Sequence, residues 1–254
     1  MTPEPASLIW QRDLPVIVPD WPAPPGVHAV ATTRRGGVST GPYAGLNLGD
    51  HVGDDPAAVG ENRRRLKVAL ALPAEPHWLR QVHGMRVVRA SDGEAIAADG
   101  AWTERSGVVC SVGMADCLPV LFCDHAGTRV AAAHAGWRGL AAGVLEATVA
   151  ALAVAPDRLL AWIGPAIGAA AFEVGPEVRA AFLAADAKAV TAFQRGRAGR
   201  WQADLVTLAR QRLRRAGVTQ VWGGHWCTAS EPAWFFSHRR DGTSGRMAAL
   251  IWRA

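Results

Sequence analysis

Residues 113–139, GMADCLPVLFCDHAGTRVAAAHAGWRG, constrain this chain more than any other stretch. Two short apolar runs, residues 118–123 (LPVLFC) and 129–133 (RVAAA), flank Asp124-His125-Ala126-Gly127. Asp and Gly stand there as a tight turn wants them, so the stretch reads as two buried strands of a hairpin. A hairpin centred between His125 and Ala126 sets Cys117 directly opposite His134, with Cβ atoms roughly 4.5–5.5 Å apart. That placement suits two ligands of one metal ion, or a thiolate–imidazole pair. A slip of one residue would send the two side chains to opposite faces. Gly136 and Gly139 then lead into an Ala/Leu-rich helical stretch, so His134 stands at a strand-to-helix corner, a common place for chemistry.

At 254 residues, half of them hydrophobic and 19% charged, the chain can bury a full core as a globular protein. No apolar run approaches the roughly 18 residues of a membrane span. The first residues hold no basic segment followed by an apolar one, so the expected compartment is the cytoplasm. Only Lys67 and Lys188 are lysines, so the net charge of +5 is carried by arginine, which favours planar partners such as phosphate and carboxylate. Most of the basic residues are scattered, and away from glycine-rich loops only Arg63-Arg64-Arg65 and the group Arg212, Arg214 and Arg215 cluster. Both groups fall in expected helices as solvated faces, which argues against a nucleic-acid partner. The four cysteines form no CxxC and no disulfide-like spacing. Cys110 and Cys123 lie inside apolar runs and read as small core residues.

Residues 1–25 are Pro-rich and read as an irregular N-terminal segment; residues 26–254 read as a single mixed α/β domain. Residues 27–33 form an expected strand running into Arg34-Arg35-Gly36-Gly37-Val38-Ser39, a loop that is either an anion-binding nest or a simple turn. Asp55-Pro56 opens a helix that Leu72-Pro73 ends. Residues 78–90 read as a strand interrupted at Gly84, beside His83, and Ala98-Asp99-Gly100 as a turn. Further strands are expected over 107–112, 159–163, 218–222 and 247–252, and helices over 140–154, 175–187 and from Asp204 to a Gly217 stop. Residues 194–200 read as a mobile loop. The pattern Arg-Arg-x-Gly-x-Ser recurs at Arg239–Ser244, and two such loops brought together would attract anions.

His83, Cys117 and His134 together have the composition of an open zinc site: three protein ligands and a free position is the catalytic pattern, four the structural one. Zinc there would lower the pKa of a bound water to about 7. The alternative is three scattered core residues. Asp116, next to Cys117, is a candidate to orient a ligand, or a turn residue.

TTRRGGVS, GLNLG, ENR, RQVHG, ADG, ADCLPVL, AAAHAGWRG, WIGPAIG, FEVG, CT and FFSHRRDGTSGRMAALIW resemble, in order and over nearly the whole chain after residue 25, the YfiH-type family. That family is labelled variously as laccase-like polyphenol oxidase, purine nucleoside phosphorylase and peptidoglycan editing factor. The resemblance implies a layered α/β/β/α fold with mixed sheets, shared with cysteine-hydrolase-like toxins. It implies zinc, with copper possible in its place, on His83, Cys117 and His134. It also implies phosphorolysis of adenosine, inosine, guanosine and methylthioadenosine, with adenosine deamination as a second activity. Purine nucleosides and phosphate are then the partners of a monomer or weak homodimer. Arg34, Arg35, Arg138, Arg239 and Arg240 are candidates to bind phosphate. Two other functions stay open: a Cys117–His134 nucleophilic dyad acting on an amide in cell-wall precursor editing, and a zinc-stabilised binding module. A four-copper oxidase is disfavoured, because it needs about ten histidines with His-x-His pairs, whereas this chain has eight and no such pair.

Overall fold

The computed structural model describes residues 8–90 and 96–254. A hairpin of β1 (Leu8–Gln11) and β2 (Leu14–Ile17) leads to β3 (Val27–Thr32) and, beyond a glycine-rich loop, to α1 (Pro56–Ala69). Asp55 caps α1 by accepting the N–H of Ala57, and Pro56 fills its first position. Then come β4 (Val87–Arg89), β5 (Gly100–Thr103), β6 (Val109–Met114), β7 (Leu118–Asp124) and β8 (Val130–Ala135), followed by the helices α2 (Trp137–Ala142) and α3 (Val144–Leu152). The remainder comprises β9 (Leu159–Ile163), β10 (Glu173–Val174), α4 (Pro176–Ala185), β11 (Phe193–Arg195), β12 (Trp201–Ala203), α5 (Leu205–Arg215), β13 (Gln220–Gly223), α6 (His238–Asp241) and β14 (Met247–Arg253).

The strands form a five-stranded sheet, β1-β2-β3-β14-β6, a six-stranded mixed sheet, β13-β9-β7-β8-β5-β4, and a small sheet, β10-β12-β11. Strand β7 is buried along its whole length, which is why it reads as a continuous apolar run. Its alternate residues serve two cores. Leu121 and Cys123 pack with Val112, Met114, Ala249 and Ile251 between the two large sheets. Val120 and Phe122 face Leu145, Val149, Leu208 and Leu213 of α3 and α5. On the far side Leu66 of α1 packs with Val30 and Leu250 on the outer face of the five-stranded sheet. The layers therefore run helix, sheet, sheet, helix, as the family resemblance implies.

Several sequence expectations need correction. Pro119, not Cys117, pairs with His134 in the β7–β8 ladder, and continuing that register sets Cys117 across from Gly136. The connection is longer than a two-residue turn because the Asp124 carboxylate takes the N–H groups of Thr128 and Arg129 and the Thr128 hydroxyl, closing a wider loop. The shift is by an even number, so Cys117 and His134 keep a common face. The segment expected to be irregular over 1–25 holds the β1–β2 hairpin; residues 1–7 of it lie outside the described residues. Residues 78–90 form a strand only at β4, because a buried carboxylate gathers their middle into a turn. The helix expected over 140–154 is two helices, broken at Gly143 in the left-handed region (φ 113°). Of residues 194–200, Gln194 and Arg195 end β11, and residues 196–200 form the expected loop to β12. Arg212, expected on a solvated face, is buried and pairs with Glu146 at 2.7 Å. No helix of the described residues is long and apolar enough to cross a membrane.

Candidate metal centre

The β7–β8 hairpin carries two of the three residues that could hold a metal: Cys117 just before β7, His134 inside β8. Strand β5 lies beside β8, with Gly100 paired to Ala133, and this register delivers Asp99 to His134. The Asp99 carbonyl accepts the His134 N–H at 2.7 Å. Its fully buried carboxylate stands 2.9 Å from His134 Nδ1. That contact fixes the ring so that Nε2 is left for a ligand. The same carboxylate accepts the N–H groups of His83 at 2.9 Å, Gly84 at 2.7 Å and Val82 at 3.2 Å. These bonds hold His83 in the left-handed region (φ 59°), which is unfavourable for a residue with a side chain. One carboxylate thus places both histidines.

Two glycines let the parts close up. A Cβ on Gly136 would lie 2.9 Å from both Cys117 Sγ and His83 Cδ2, and one on Gly139 would lie 2.7 Å from the Gly84 carbonyl oxygen. The GWRG turn can lie against the cysteine and the His83 loop only without side chains at these positions.

Cys117 Sγ and His83 Nε2 are 3.8 Å apart. The His83 and His134 rings meet edge to face at 4.9 Å. One donor atom from each of the three residues falls within 4.8 Å of the others. A tetrahedral zinc with Zn–S about 2.3 Å and Zn–N about 2.0–2.1 Å holds its donors about 3.4–3.6 Å apart, so this set fits one such ion with a position left open. All eight histidines are among the described residues, which contain no second group of metal-holding spacing. A multinuclear copper cluster has no donors here.

The electrostatics favour a ligand thiolate. Burial pushes the Cys117 thiol up, but His134 and His83 outweigh it and bring the pKa down to about 6. Burial likewise opposes charge on His134, and Cys117 with Asp99 overcomes it, raising the imidazole to about 9. Cys123, which burial pushes up to about 12, remains an inert core thiol, as its apolar setting led us to expect.

The Asp116 carboxylate is bonded to the C-terminal loop and not to His83 or His134. It accepts from the Thr228 hydroxyl and the Arg239 N–H, each at 2.6 Å, and pins that loop beside Cys117. Asp99, which reads in sequence as a turn residue, has the orienting role instead.

The two Arg-Arg loops do come together. Arg34 is depressed by burial, a depression that Asp241 offsets and Arg240 deepens. Arg34 stacks on Phe236 and Arg35 on Trp234. Arg240 grips Asp241 through Nε and Nη2 and also bonds the carbonyls of Thr228, Ala229 and Phe235, so its guanidinium acts as a structural clamp. Arg239 Nη1 bonds the Glu173 carbonyl. Arg138 is exposed over the Trp137 ring.

Arg246 also stands beside this centre. It directly precedes β14, whose Met247 pairs with Met114 at the end of β6, so it sits across from the corner bearing Asp116 and Cys117. A single arginine before an apolar strand has no pattern to mark it. The buried amides of GLNLG and ENR support it. Asn47 Oδ1 accepts the Arg246 N–H at 2.8 Å, and Asn62 Nδ2 donates to the Asn47 carbonyl at 2.9 Å.

The family described as multi-copper polyphenol oxidoreductase laccase matches residues 28–254. The chain is 58% identical to a purine nucleoside phosphorylase of Pseudomonas aeruginosa over 237 residues, covering 93% of this chain and 97% of that one. It is 58% identical to the purine nucleoside phosphorylase YfiH of Escherichia coli over 241 residues, covering 93% and 98%. A Neisseria meningitidis crystal structure of the DUF152 family superposes with a TM-score of 0.91 at 52% identity, covering 94% and 98%. Bacillus licheniformis YfiH superposes with a TM-score of 0.90 at 30% identity, covering 98% and 100%. With its layered sheets and its one His-Cys-His cluster, the chain belongs to the YfiH family.

Proposed function

We propose that this chain is a zinc-dependent purine nucleoside phosphorylase with adenosine deamination as a second activity. The observation that carries the reading is the convergence of His83, Cys117 and His134 on one point with a coordination position open. The names of the similar proteins support the phosphorylase part. Zinc, when bound, supplies Lewis acidity and an activated water at neutral pH. The chain's own groups do the rest. Asp99 holds His134 by Nδ1 and the His83 loop by its amides, so the donors are set before a substrate arrives. Arginines beside the centre hold the anionic co-substrate. Phosphorolysis needs phosphate at C1′ of the ribose, whereas deamination needs water at C6 of the base, several ångströms away. Two binding orientations, or a division of labour between metal and arginines, meet both demands.

Adenosine incubated with the protein, with and without phosphate, and resolved by chromatography tests this. Adenine released only with phosphate supports phosphorolysis, and slow formation of inosine supports deamination. No base released at enzyme concentrations near those of substrate removes the phosphorylase reading.

A second reading draws on one specific arrangement. Cys117, His134 and Asp99 also form a thiolate–imidazole–carboxylate series of the kind that cysteine hydrolases use. Turnover of an amide of a cell-wall precursor by metal-free protein would favour it.

A further inference from the structure

Arg246 lines a cleft of about 320 Å³ with Leu48, Gly49, Arg63, Gln81 and Gly113. Its guanidinium is held from one side only. Nη1 donates to the Ser244 and Gly245 carbonyls at 2.8 and 3.0 Å and to the Ser244 hydroxyl at 3.3 Å. Among the described residues those are all the hydrogen bonds this guanidinium makes, which leaves Nε and Nη2 for a ligand. The backbone N–H is fixed by Asn47. The side chain crosses Gly49, where a Cβ would stand 2.8 Å from Arg246 Cγ. The stem is therefore pinned and the fork is open, which is the condition for bidentate recognition of an oxyanion.

The other groups of the cleft leave positive charge over. Its carboxylate, Asp50, pairs with Arg63 at 3.2 Å. Arg63 is further committed to the Leu48 carbonyl and the Trp78 ring. Arg80 lines the same cleft. Gln81 is tied to Gly113 by both ends of its amide, at 2.6 and 3.0 Å, which makes the cleft wall rigid. Gln81 is two residues from His83, and Gly113 lies on the strand leading to Cys117. Burial lowers the Arg246 guanidinium, and Cys117 and Asp116 oppose that, so its charge is felt at the metal ligand.

We propose that Arg246, held by Asn47 and Gly49, is the residue that binds the phosphate co-substrate, in the cleft beside the metal ligands. The assignment rests on the phosphorylase reading for the identity of the anion. It differs from the arginines of the two Arg-Arg loops, of which Arg240 is already clamped.

The test is equilibrium dialysis of radiolabelled inorganic phosphate against metal-loaded protein, wild-type, Arg246→Gln and Arg246→Lys, with metal content and melting temperature measured on each. One phosphate per wild-type chain is expected, with binding weakened about tenfold or more in the Gln variant and less in the Lys variant, which keeps charge but loses the fork. The Michaelis constant for phosphate should rise in parallel while that for the nucleoside stays within about twofold. Should the Gln variant not fold, the Lys variant alone must show the loss. Equal phosphate binding in folded variants overturns the proposal, and so does absence of phosphate binding by the wild type. Loss of metal in place of loss of phosphate also overturns it, because Arg246 would then serve to balance the Cys117 charge. Phosphate bound through Arg246 without any base release supports the anion site while removing the phosphorylase reading.

Discussion

The Asp99 carboxylate stands 2.9 Å from His134 Nδ1 and accepts the His83 amide at the same distance, so one buried group fixes two clustered histidines that lie far apart in the chain. Asp99→Asn should lower zinc affinity by about 10–100-fold, since the amide gives a weaker and differently protonated partner to the imidazole. It should also cost about 1–3 kcal/mol of stability through the poorly satisfied amides of residues 82–84. Zinc competition with a chromogenic chelator reads the first effect and denaturant unfolding the second. Asp116→Asn should leave zinc affinity within about twofold.

The thiol of Cys117 should titrate low in protein stripped of metal. Its pKa is depressed to about 6, so the thiolate forms as pH rises through that value and is populated at neutrality. Iodoacetamide labelling should rise between about pH 5 and 7 and then level off, where an ordinary thiol of pKa about 8.5 would still be climbing. Since His134 is raised to about 9, zinc uptake at pH 7.5 should release a proton from the imidazole, not from the thiol. Titration calorimetry in buffers of different ionisation enthalpy counts it. Metal-loaded protein should label slowly, and labelling at equal rates with and without chelator would favour the nucleophile reading.

Three glycines separate metal loss from fold loss. Gly136→Ala places a methyl 2.9 Å from Cys117 Sγ and His83, and should lose zinc while the fold persists. Gly139→Ala meets a backbone carbonyl 2.7 Å away that cannot give, and should cost about 1–3 kcal/mol. Gly60, inside α1 with nothing within 4 Å, is the control: alanine there should stabilise by about 0.5–1 kcal/mol. Thermal melts and zinc content of the three variants check this.

Arg240→Gln should act through the fold. Its guanidinium joins Asp241 to three backbone carbonyls, so its loss should lower the melting temperature and impair phosphate and nucleoside constants together. A selective rise in the phosphate constant would return Arg240 to the anion site.

The pairing of Cys117 with His134 was legible because strand parity survives an even shift: the two share a face whether the hairpin closes over two residues or four. The shift itself was hidden in the Asp124 side chain, which reads as an ordinary turn residue and in fact closes the wider loop. Asp99 was illegible for the same reason. An Asp before Gly signals a turn, and only the pairing of β5 with β8 turns it toward His134. Counting arginine pairs drew attention to Arg240, whose motif is structural, and away from Arg246, whose place depends on Asn47 nearly two hundred residues earlier in the chain. The layered fold came from the family resemblance; the apolar run at β7 marked only a buried strand, whose residues divide between two cores.

The central claim, that His83, Cys117 and His134 hold a metal on which the reaction depends, is tested most directly by elemental analysis paired with a base-release assay on the same samples. Protein purified without added metal should carry zinc near one equivalent per chain. Cys117→Ala and His134→Ala should each fall below about a tenth of that and lose base release with it. Wild-type protein below about a tenth of an equivalent, no different from Cys117→Ala, or full base release from either variant, would contradict the account.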